Sequence, residues 1–148
     1  MVATSRLTVN RIATSVSSLG PGRRVGLWVQ GCTIGCAGCA STDTWDATAG
    51  VASTVTELAG QLGHLLDDAD GLTITGGEPF QQGDALAQLV GILRSGGALD
   101  HRDLLIFTGY AATAARRRSP TLWEQADALV AGPYRQARPN GGWLRASD

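Results

Sequence analysis

The stretch Val25-Gly-Leu-Trp-Val-Gln-Gly-Cys-Thr-Ile-Gly-Cys-Ala-Gly-Cys39 joins a short apolar run to three closely spaced cysteines. The run over 25–29 predicts a β-strand, and the cysteine loop begins directly at its end. Cys32, Cys36 and Cys39 are the only cysteines in the chain. Thiolates are soft ligands, and a cubane iron-sulfur cluster held by three of them keeps one iron open to a substrate or cosubstrate. The count therefore favours chemistry at a cluster over a closed, purely structural site.

The same cysteines have three other interpretations. A disulfide framework would leave one thiol over, because three is an odd number. A zinc site would need a further ligand such as His64 or His101, and both histidines lie far along the chain. Unliganded core cysteines are the third alternative, but glycines at 31, 35 and 38 favour a loop that turns closely around a cluster.

Composition excludes several classes of function. The chain has 148 residues, which predicts one domain over 1–148 with a sizeable core. A net charge of -1 gives no electrostatic reason to expect nucleic acid or an acidic membrane surface. No apolar run is long enough to span a membrane, and the N-terminus lacks the apolar core of a secretion signal. We therefore expect a reducing, cytoplasmic setting, in which cluster thiolates survive.

Strand-like and helix-like segments alternate along the chain. Besides 25–29, the apolar runs that predict strands cover 7–12, 71–75, 104–107 and 128–131. Helices are predicted from the capping box Thr54-Val-Thr-Glu57 to about Ala69, from an Asp84 cap to Gly96, and over 122–126. This order predicts an α/β fold with a mainly parallel sheet and crossover helices. Because the chain is too short for a full eightfold barrel, we expect a partial, open β/α barrel.

Special residues follow four of the predicted strands. The cysteine loop follows Val29, and the runs 75–79 (Thr-Gly-Gly-Glu-Pro), 108–110 and 132–134 follow the others. Ligands of parallel α/β sheets gather at the carboxyl ends of the strands. The glycines allow a polar ligand to approach the main chain, and Glu78 offers a carboxylate acceptor for an ammonium group. Taken alone, Gly-Gly-Glu-Pro is equally consistent with a simple turn.

The C-x3-C-x2-C loop followed by Gly-Gly-Glu-Pro resembles the signature of the radical S-adenosylmethionine (SAM) superfamily. Within it, the chain is similar to the anaerobic ribonucleotide reductase activating proteins, which activate a glycyl radical enzyme. The stretches that carry this likeness are 20–24, 28–32, 38–39, 44–45, 75–80, 108–110 and 128–134. The resemblance spans nearly the whole chain.

The resemblance implies roles for individual residues. Cys32, Cys36 and Cys39 would hold three irons of a [4Fe-4S] cluster, and SAM would chelate the fourth. The methionine ammonium of SAM would be received by the turn Gly76, Gly77, Glu78 and Pro79, with Thr108 also contacting the cofactor. The main chain around Gly38 and Ala40 would lie against the adenine. An electron from an external reductant would pass through the cluster and reduce SAM to methionine and a 5'-deoxyadenosyl radical. Because this radical chemistry belongs to the cofactor, no general acid or base is expected.

The resemblance also implies partners: a glycyl radical enzyme as hydrogen donor, and an external electron donor such as flavodoxin or ferredoxin. The chain departs from the family pattern at Thr33, Ala40, Ser41 and Ala131, and its C-terminus stops early. A compact radical SAM enzyme acting on a peptide or small metabolite is therefore an alternative. A non-enzymatic cluster carrier or sensor is another, although it has no use for the Gly-Gly-Glu-Pro turn.

Some large side chains have simpler interpretations. Trp28 lies in a predicted strand and is expected in the core. Arg23 and Arg24 are expected in a solvated turn, with partner contact as the alternative. The run Arg116-Arg-Arg118 predicts a solvated helix end. Tyr110 either lines the SAM pocket or closes a strand end.

Overall fold

The computed structural model describes residues 5–31 and 50–132, so Cys32, Cys36, Cys39, Gly38 and Ala40 lie outside the described residues. The strands are β1 (Arg6–Val16), β2 (Arg24–Val29), β3 (Val51–Thr54), β4 (Gly71–Gly76), β5 (Asp103–Phe107) and β6 (Ala128–Val130). The α-helices are α1 (Val55–Leu66), α2 (Gly83–Ser95), α3 (Ala112–Arg118) and α4 (Pro120–Gln125). A 3-10 turn, Pro79–Gln82, joins β4 to α2.

All six described strands form one open sheet in the order β3-β1-β2-β4-β5-β6. β2, β4, β5 and β6 run parallel to one another, and β1 pairs antiparallel with both β2 and β3. A parallel connection requires a crossover, and helices supply it between the parallel strands from β4 onward. The predicted α/β class, with a mainly parallel sheet not closed into a barrel, is confirmed.

The sheet has one strand that the sequence pattern missed. β3 has only four residues, two of its four positions are exposed, and Val51 is 66% exposed. Such a short segment carries no apolar alternation to detect. Because β3 pairs with β1, β1 is an inner strand. β1 also extends four residues beyond the predicted Ile12.

Helix beginnings agree with the sequence in one case and differ in another. Thr54 is the N-cap of α1, and its hydroxyl accepts a hydrogen bond from the Glu57 N–H at 3.2 Å, as the capping box predicts. The Asp84 cap is wrong. α2 begins at Gly83, directly after the 3-10 turn, so Asp84 lies in its first turn. An acidic side chain there still interacts favourably with the helix dipole. α3 ends at Arg118, which confirms the predicted helix end.

The helices cover one face of the sheet. Alternate strand residues, including Leu27, Ile74 and Ile106, pack with the helices in a single core. The opposite face carries the intervening residues, and we call it the open face because no helix within 5–31 and 50–132 covers it. Along the carboxyl ends of the parallel strands, this open face has a half-buried row of four side chains: Trp28, Thr75, Phe107 and Val130.

Trp28 is therefore not in the core, contrary to the prediction. Its ring lies along the open face, so close to Gly26 that a Cβ at position 26 would overlap it. The Arg11 guanidinium stacks on the outer side, 4.6 Å from the ring centroid. Trp28 is half-buried and follows the alternation that turns it away from the helices.

Arg24 also departs from its predicted place in a solvated turn. Its side chain is fully buried at the start of β2. The guanidinium forms an ion pair with Asp103 at 2.9 Å and donates to the Thr73 hydroxyl at 2.6 Å. It also donates to the carbonyl oxygens of Pro21 and Leu72. A buried charge needs this many partners, and here they join three segments at the end of the sheet opposite Gly31.

Candidate functional site

Two of the predicted motifs meet where β2 and β4 end. The Gly77 N–H donates to the Val29 carbonyl oxygen at 2.8 Å, and the Glu78 N–H donates to the Gly31 carbonyl oxygen at 2.8 Å. Gly31 immediately precedes Cys32 in the chain. The Gly-Gly-Glu turn is thus hydrogen-bonded to the base of the cysteine loop.

The two glycines of this turn are required by the close approach. Gly76 has a φ of +101°, a conformation that side-chain-bearing residues rarely adopt. A Cβ on Gly77 would overlap the main chain of Gly31. Any other residue at position 77 would push the turn away from the cysteine loop.

Glu78 connects this turn to the end of β5. Its side chain is fully buried. One carboxylate oxygen accepts from the Phe80 N–H at 2.9 Å and from the Thr108 hydroxyl at 2.6 Å. The other accepts from the Gly109 N–H at 2.6 Å. An ionised carboxylate has about four acceptor positions, so three are occupied by the protein itself. Through these hydrogen bonds, Glu78 holds the Gly-Gly-Glu turn against the end of β5.

Burial raises the pKa of Glu78 above its usual range, because removing the carboxylate from water disfavours the charged form. The hydrogen bonds from Thr108, Phe80 and Gly109 lower the pKa and partly offset this effect. The positive charge of Arg118 acts in the same direction. These donors therefore favour the ionised form of the carboxylate against the cost of burial.

Thr108 and Tyr110 extend the site to β6. The Thr108 side chain is buried, donates to Glu78 and accepts from the Tyr110 N–H at 3.2 Å. The Thr108 N–H donates to the Val130 carbonyl oxygen, and the Gly132 N–H donates to that of Tyr110. The Tyr110 hydroxyl accepts from the Gln81 side chain at 2.9 Å. The ends of β4 and β5 are thus joined by side chains that the sequence had marked, and main-chain hydrogen bonds join β6 to them.

Gln82 is a site residue that sequence reasoning missed. Its side-chain amide accepts from the Thr8 N–H at 2.9 Å and donates to the carbonyl oxygens of Thr8 and Gln30. It thereby joins the 3-10 turn to β1 and to the residue that precedes Gly31. The one signal in the sequence was its place two residues after the conspicuous Pro79-Phe80.

Both histidines lie away from this edge of the sheet. His64 lines a hollow together with Arg23, which precedes the start of β2, and His101 precedes the start of β5. β2 has six residues, so its two ends are separated by roughly 17–20 Å at 3.3 Å per residue. Neither histidine lies at the end of the sheet where Gly31 leads into the cysteines.

The described residues agree with the needs of a cluster and a nucleotide cofactor. Gly76, Gly77, Glu78, Pro79 and Thr108 all lie at the carboxyl ends of β4 and β5, beside the strand that leads into the cysteines. A Cβ at position 76 or 77 is excluded by the main chain of Val29 and Gly31, so the two glycines allow the turn to pack directly against the base of the cysteine loop. The three cysteines, Gly38 and Ala40 lie outside the described residues.

Comparison with known proteins agrees with the interpretation of this edge of the sheet as a cluster site. A family profile described as "4Fe-4S single cluster domain" matches residues 18–146. The chain is 32% identical to the anaerobic ribonucleoside-triphosphate reductase-activating protein of Enterobacteria phage T4, over 87% of this chain and 82% of the relative. It is 33% identical to the protein of the same name from Pasteurella multocida, over 87% and 86%.

A solved structure shares the fold. The crystal structure of QueE from Escherichia coli has a TM-score of 0.60 and 18% identity, covering 88% of this chain and 61% of QueE. The chain thus spans about three fifths of the QueE chain, and the likeness concerns the fold alone. Within 5–31 and 50–132, no helix is long and apolar enough to cross a membrane.

Proposed function

This chain belongs to the anaerobic ribonucleoside-triphosphate reductase-activating proteins of the radical SAM superfamily, and we propose that it generates the glycyl radical of a partner reductase. Its cofactors are a [4Fe-4S] cluster and SAM. When bound, the cluster would supply one electron to SAM, which would yield methionine and a 5'-deoxyadenosyl radical. A glycine Cα of the partner would be the hydrogen donor.

The protein's own residues hold and align these groups. Cys32, Cys36 and Cys39 would supply the three thiolates, and the main chain around Gly38 and Ala40 would contact the adenine. Gly76 and Gly77 present main chain to the methionine ammonium, and Pro79 starts the following turn. Glu78 and Thr108 fix the turn through their mutual hydrogen bond, and Glu78 retains one acceptor position for the ammonium.

The observation that carries this proposal is the pair of hydrogen bonds from Gly77 and Glu78 to the carbonyl oxygens of Val29 and Gly31. They join the turn that would bind SAM to the base of the loop that would bind the cluster. Since the reductive step needs the sulfonium close to an open iron, a fixed distance between the two motifs is what the reaction requires.

The open face of the sheet supports a protein substrate. The row Trp28, Thr75, Phe107 and Val130 is half-buried and lies on the side that none of the described helices covers. It begins at the same strand ends that carry the Gly-Gly-Glu turn. A partner loop that carries the glycine can approach the 5'-carbon of SAM from this side. Because glycine has no side chain, its Cα can come close to the 5'-carbon.

The test begins with anaerobic reconstitution, dithionite reduction and addition of SAM. We expect 5'-deoxyadenosine and methionine in equal amounts. Addition of the cognate anaerobic reductase subunit should then give a glycyl radical signal by electron paramagnetic resonance. A chain that cleaves SAM but gives no such signal with the reductase would instead act on a peptide or small metabolite. A chain that binds a cluster and never cleaves SAM would be a carrier or sensor.

A further inference from the structure

Three consecutive arginines, Arg116, Arg117 and Arg118, form an exposed arginine patch in the last turn of α3. Basic side chains at a helix C-terminus interact favourably with the helix dipole, but that interaction acts only near the last turn and is weakened by salt. The net charge of the chain is -1, yet three positive charges lie side by side here. The interaction with the helix dipole does not require so many.

The patch lies beside the candidate site. The Arg118 guanidinium stacks 4.8 Å from the centroid of the Tyr110 ring, and Tyr110 is hydrogen-bonded to Gln81. The next residue, Gln82, donates to the Gln30 carbonyl oxygen, two residues before Cys32. Arg118 also lines a hollow of 420 Å³ together with the 3-10 turn and the start of α2. A short series of contacts therefore leads from the patch to the base of the cysteine loop.

The local charge balance favours an acidic partner. Asp84 and Glu124 are the acidic side chains that line the hollows next to the patch. Among the described residues, neither Arg116 nor Arg117 forms an ion pair, whereas Arg24 and Arg94 both do. Arginines held near the surface without a carboxylate partner attract acidic proteins and accelerate encounter.

The arginine patch and the row containing Trp28 lie on opposite sides of the sheet. α3 contributes Ala115 to the core on the helix-covered face, so the patch lies on that side of the site. The row containing Trp28 lies on the opposite, open face. A protein bound at the patch would leave the open face accessible to a hydrogen donor.

We propose that the arginine patch docks a small acidic one-electron carrier protein that reduces the cluster. This inference rests on the proposed function. In each encounter the carrier loses one electron and the cluster gains it, and no bond forms or breaks between the two proteins. Transient redox complexes have small interfaces, so a few charges supply much of their rate and specificity.

The test uses the reconstituted holoprotein and photoreduced flavodoxin as the probe. Arg116→Glu and Arg117→Glu are compared with Arg23→Glu, which makes the same charge change at an exposed arginine near the opposite end of β2. At low salt, each patch variant should reduce the rate of flavodoxin oxidation by about threefold or more, because rim charges control association rates. Arg23→Glu should leave the rate within about twofold, and high salt should bring all variants together.

Two further measurements separate this inference from the proposed function. Binding of oxidised flavodoxin, measured by titration without any turnover, should weaken in the patch variants only. With dithionite as reductant, 5'-deoxyadenosine formation should be unchanged in all variants. Equal flavodoxin rates and affinities in the wild type and the patch variants would overturn the docking site. So would a loss of glycyl radical formation under dithionite with cleavage intact, since the patch would then serve the reductase.

Discussion

The Gly77 N–H lies 2.8 Å from the carbonyl oxygen of Val29, the last residue of β2. This hydrogen bond joins two motifs that are 48 positions apart in the sequence (77 − 29 = 48). It fixes the distance between the turn and the cysteine loop, and it exists only because position 77 has no side chain.

Replacing Gly77 with alanine should disrupt the site. The added Cβ would overlap the Gly31 main chain, and overpacking of this kind costs about 1–3 kcal/mol. We expect lower iron content after reconstitution and loss of SAM binding, measured by absorbance and equilibrium dialysis. The matched control is Gly91→Ala, because Gly91 is in α2 with no atom within 4 Å of its added Cβ. The control should bind iron normally and be more stable by about 1 kcal/mol, from helix propensity.

Replacing any one of Cys32, Cys36 or Cys39 with alanine should abolish both the cluster and SAM cleavage. Each thiolate would hold one iron, and a cubane cluster with two protein ligands is not retained. Cluster absorbance and 5'-deoxyadenosine are the two readouts. Full cleavage by any of the three variants would refute the ligand assignment.

Glu78→Gln should change how stability depends on pH. Since burial holds the pKa of Glu78 in the folded protein above that of the unfolded chain, the folded state binds this proton more tightly. As the pH rises from the ordinary carboxyl pKa through the raised one, the free energy of unfolding should therefore fall. Urea titrations of the cluster-free protein should show this fall in the wild type and not in Glu78→Gln.

The same variant has a second expected effect. Its amide group cannot accept from all three donors, so it should be less stable than the wild type by about 1–3 kcal/mol at acidic pH. SAM binding should weaken while cluster absorbance remains. Asp84→Asn removes an exposed carboxylate nearby and should show neither effect. An unchanged pH profile in Glu78→Gln would mean that another group causes the fall.

Much of this architecture follows from local sequence patterns. The apolar runs at 25–29, 71–75 and 104–107 predicted the parallel strands within one residue at each end, because buried parallel strands are short and continuously apolar. The Gly-Gly-Glu turn and Thr108 were expected at the strand ends, where the structure places them.

The errors have a common physical origin. Apart from the nearby Pro21 carbonyl, Arg24 acts through partners 48 or more positions away, and Gln82 acts through partners 52 or more positions away. A local sequence pattern contains no information about such contacts. The sequence around a buried arginine therefore looks the same as the sequence around a solvated one. Trp28 was assigned to the wrong face because Val25-Gly-Leu-Trp-Val29 has large side chains on both sides of the strand, and only the helices decide which side is the core.

Arg24→Ala should destabilise the protein without altering the site. Removing the guanidinium leaves the buried Thr73 hydroxyl and the Leu72 carbonyl without their donor, and an unsatisfied buried polar group costs about 1–3 kcal/mol. Asp103→Asn should also destabilise the protein, by about 3 kcal/mol, because it leaves the fully buried Arg24 guanidinium without its counter-charge even though the amide oxygen still accepts. Urea unfolding is the measurement, and the adjacent, exposed Arg23→Ala is the control. An equal loss in Arg23→Ala would assign the effect to the turn instead of to the buried charge.

Trp28→Ala should separate SAM cleavage from hydrogen abstraction. Trp28 lies on the open face beside Thr75. Removing its ring would take away contact surface that positions the partner's glycine loop. The hydrogen bonds of the Gly-Gly-Glu turn would stay in place. Misplacing a reacting group by about 1 Å can cost roughly 10²-fold, so we expect the glycyl radical formed per 5'-deoxyadenosine to fall by about tenfold or more. Trp123→Ala removes a tryptophan of similar burial that packs on the helix-covered face, and it should leave this ratio unchanged. Because the ratio is independent of the amount of folded protein, an equal value in the wild type and Trp28→Ala would exclude the open face as the route of the partner.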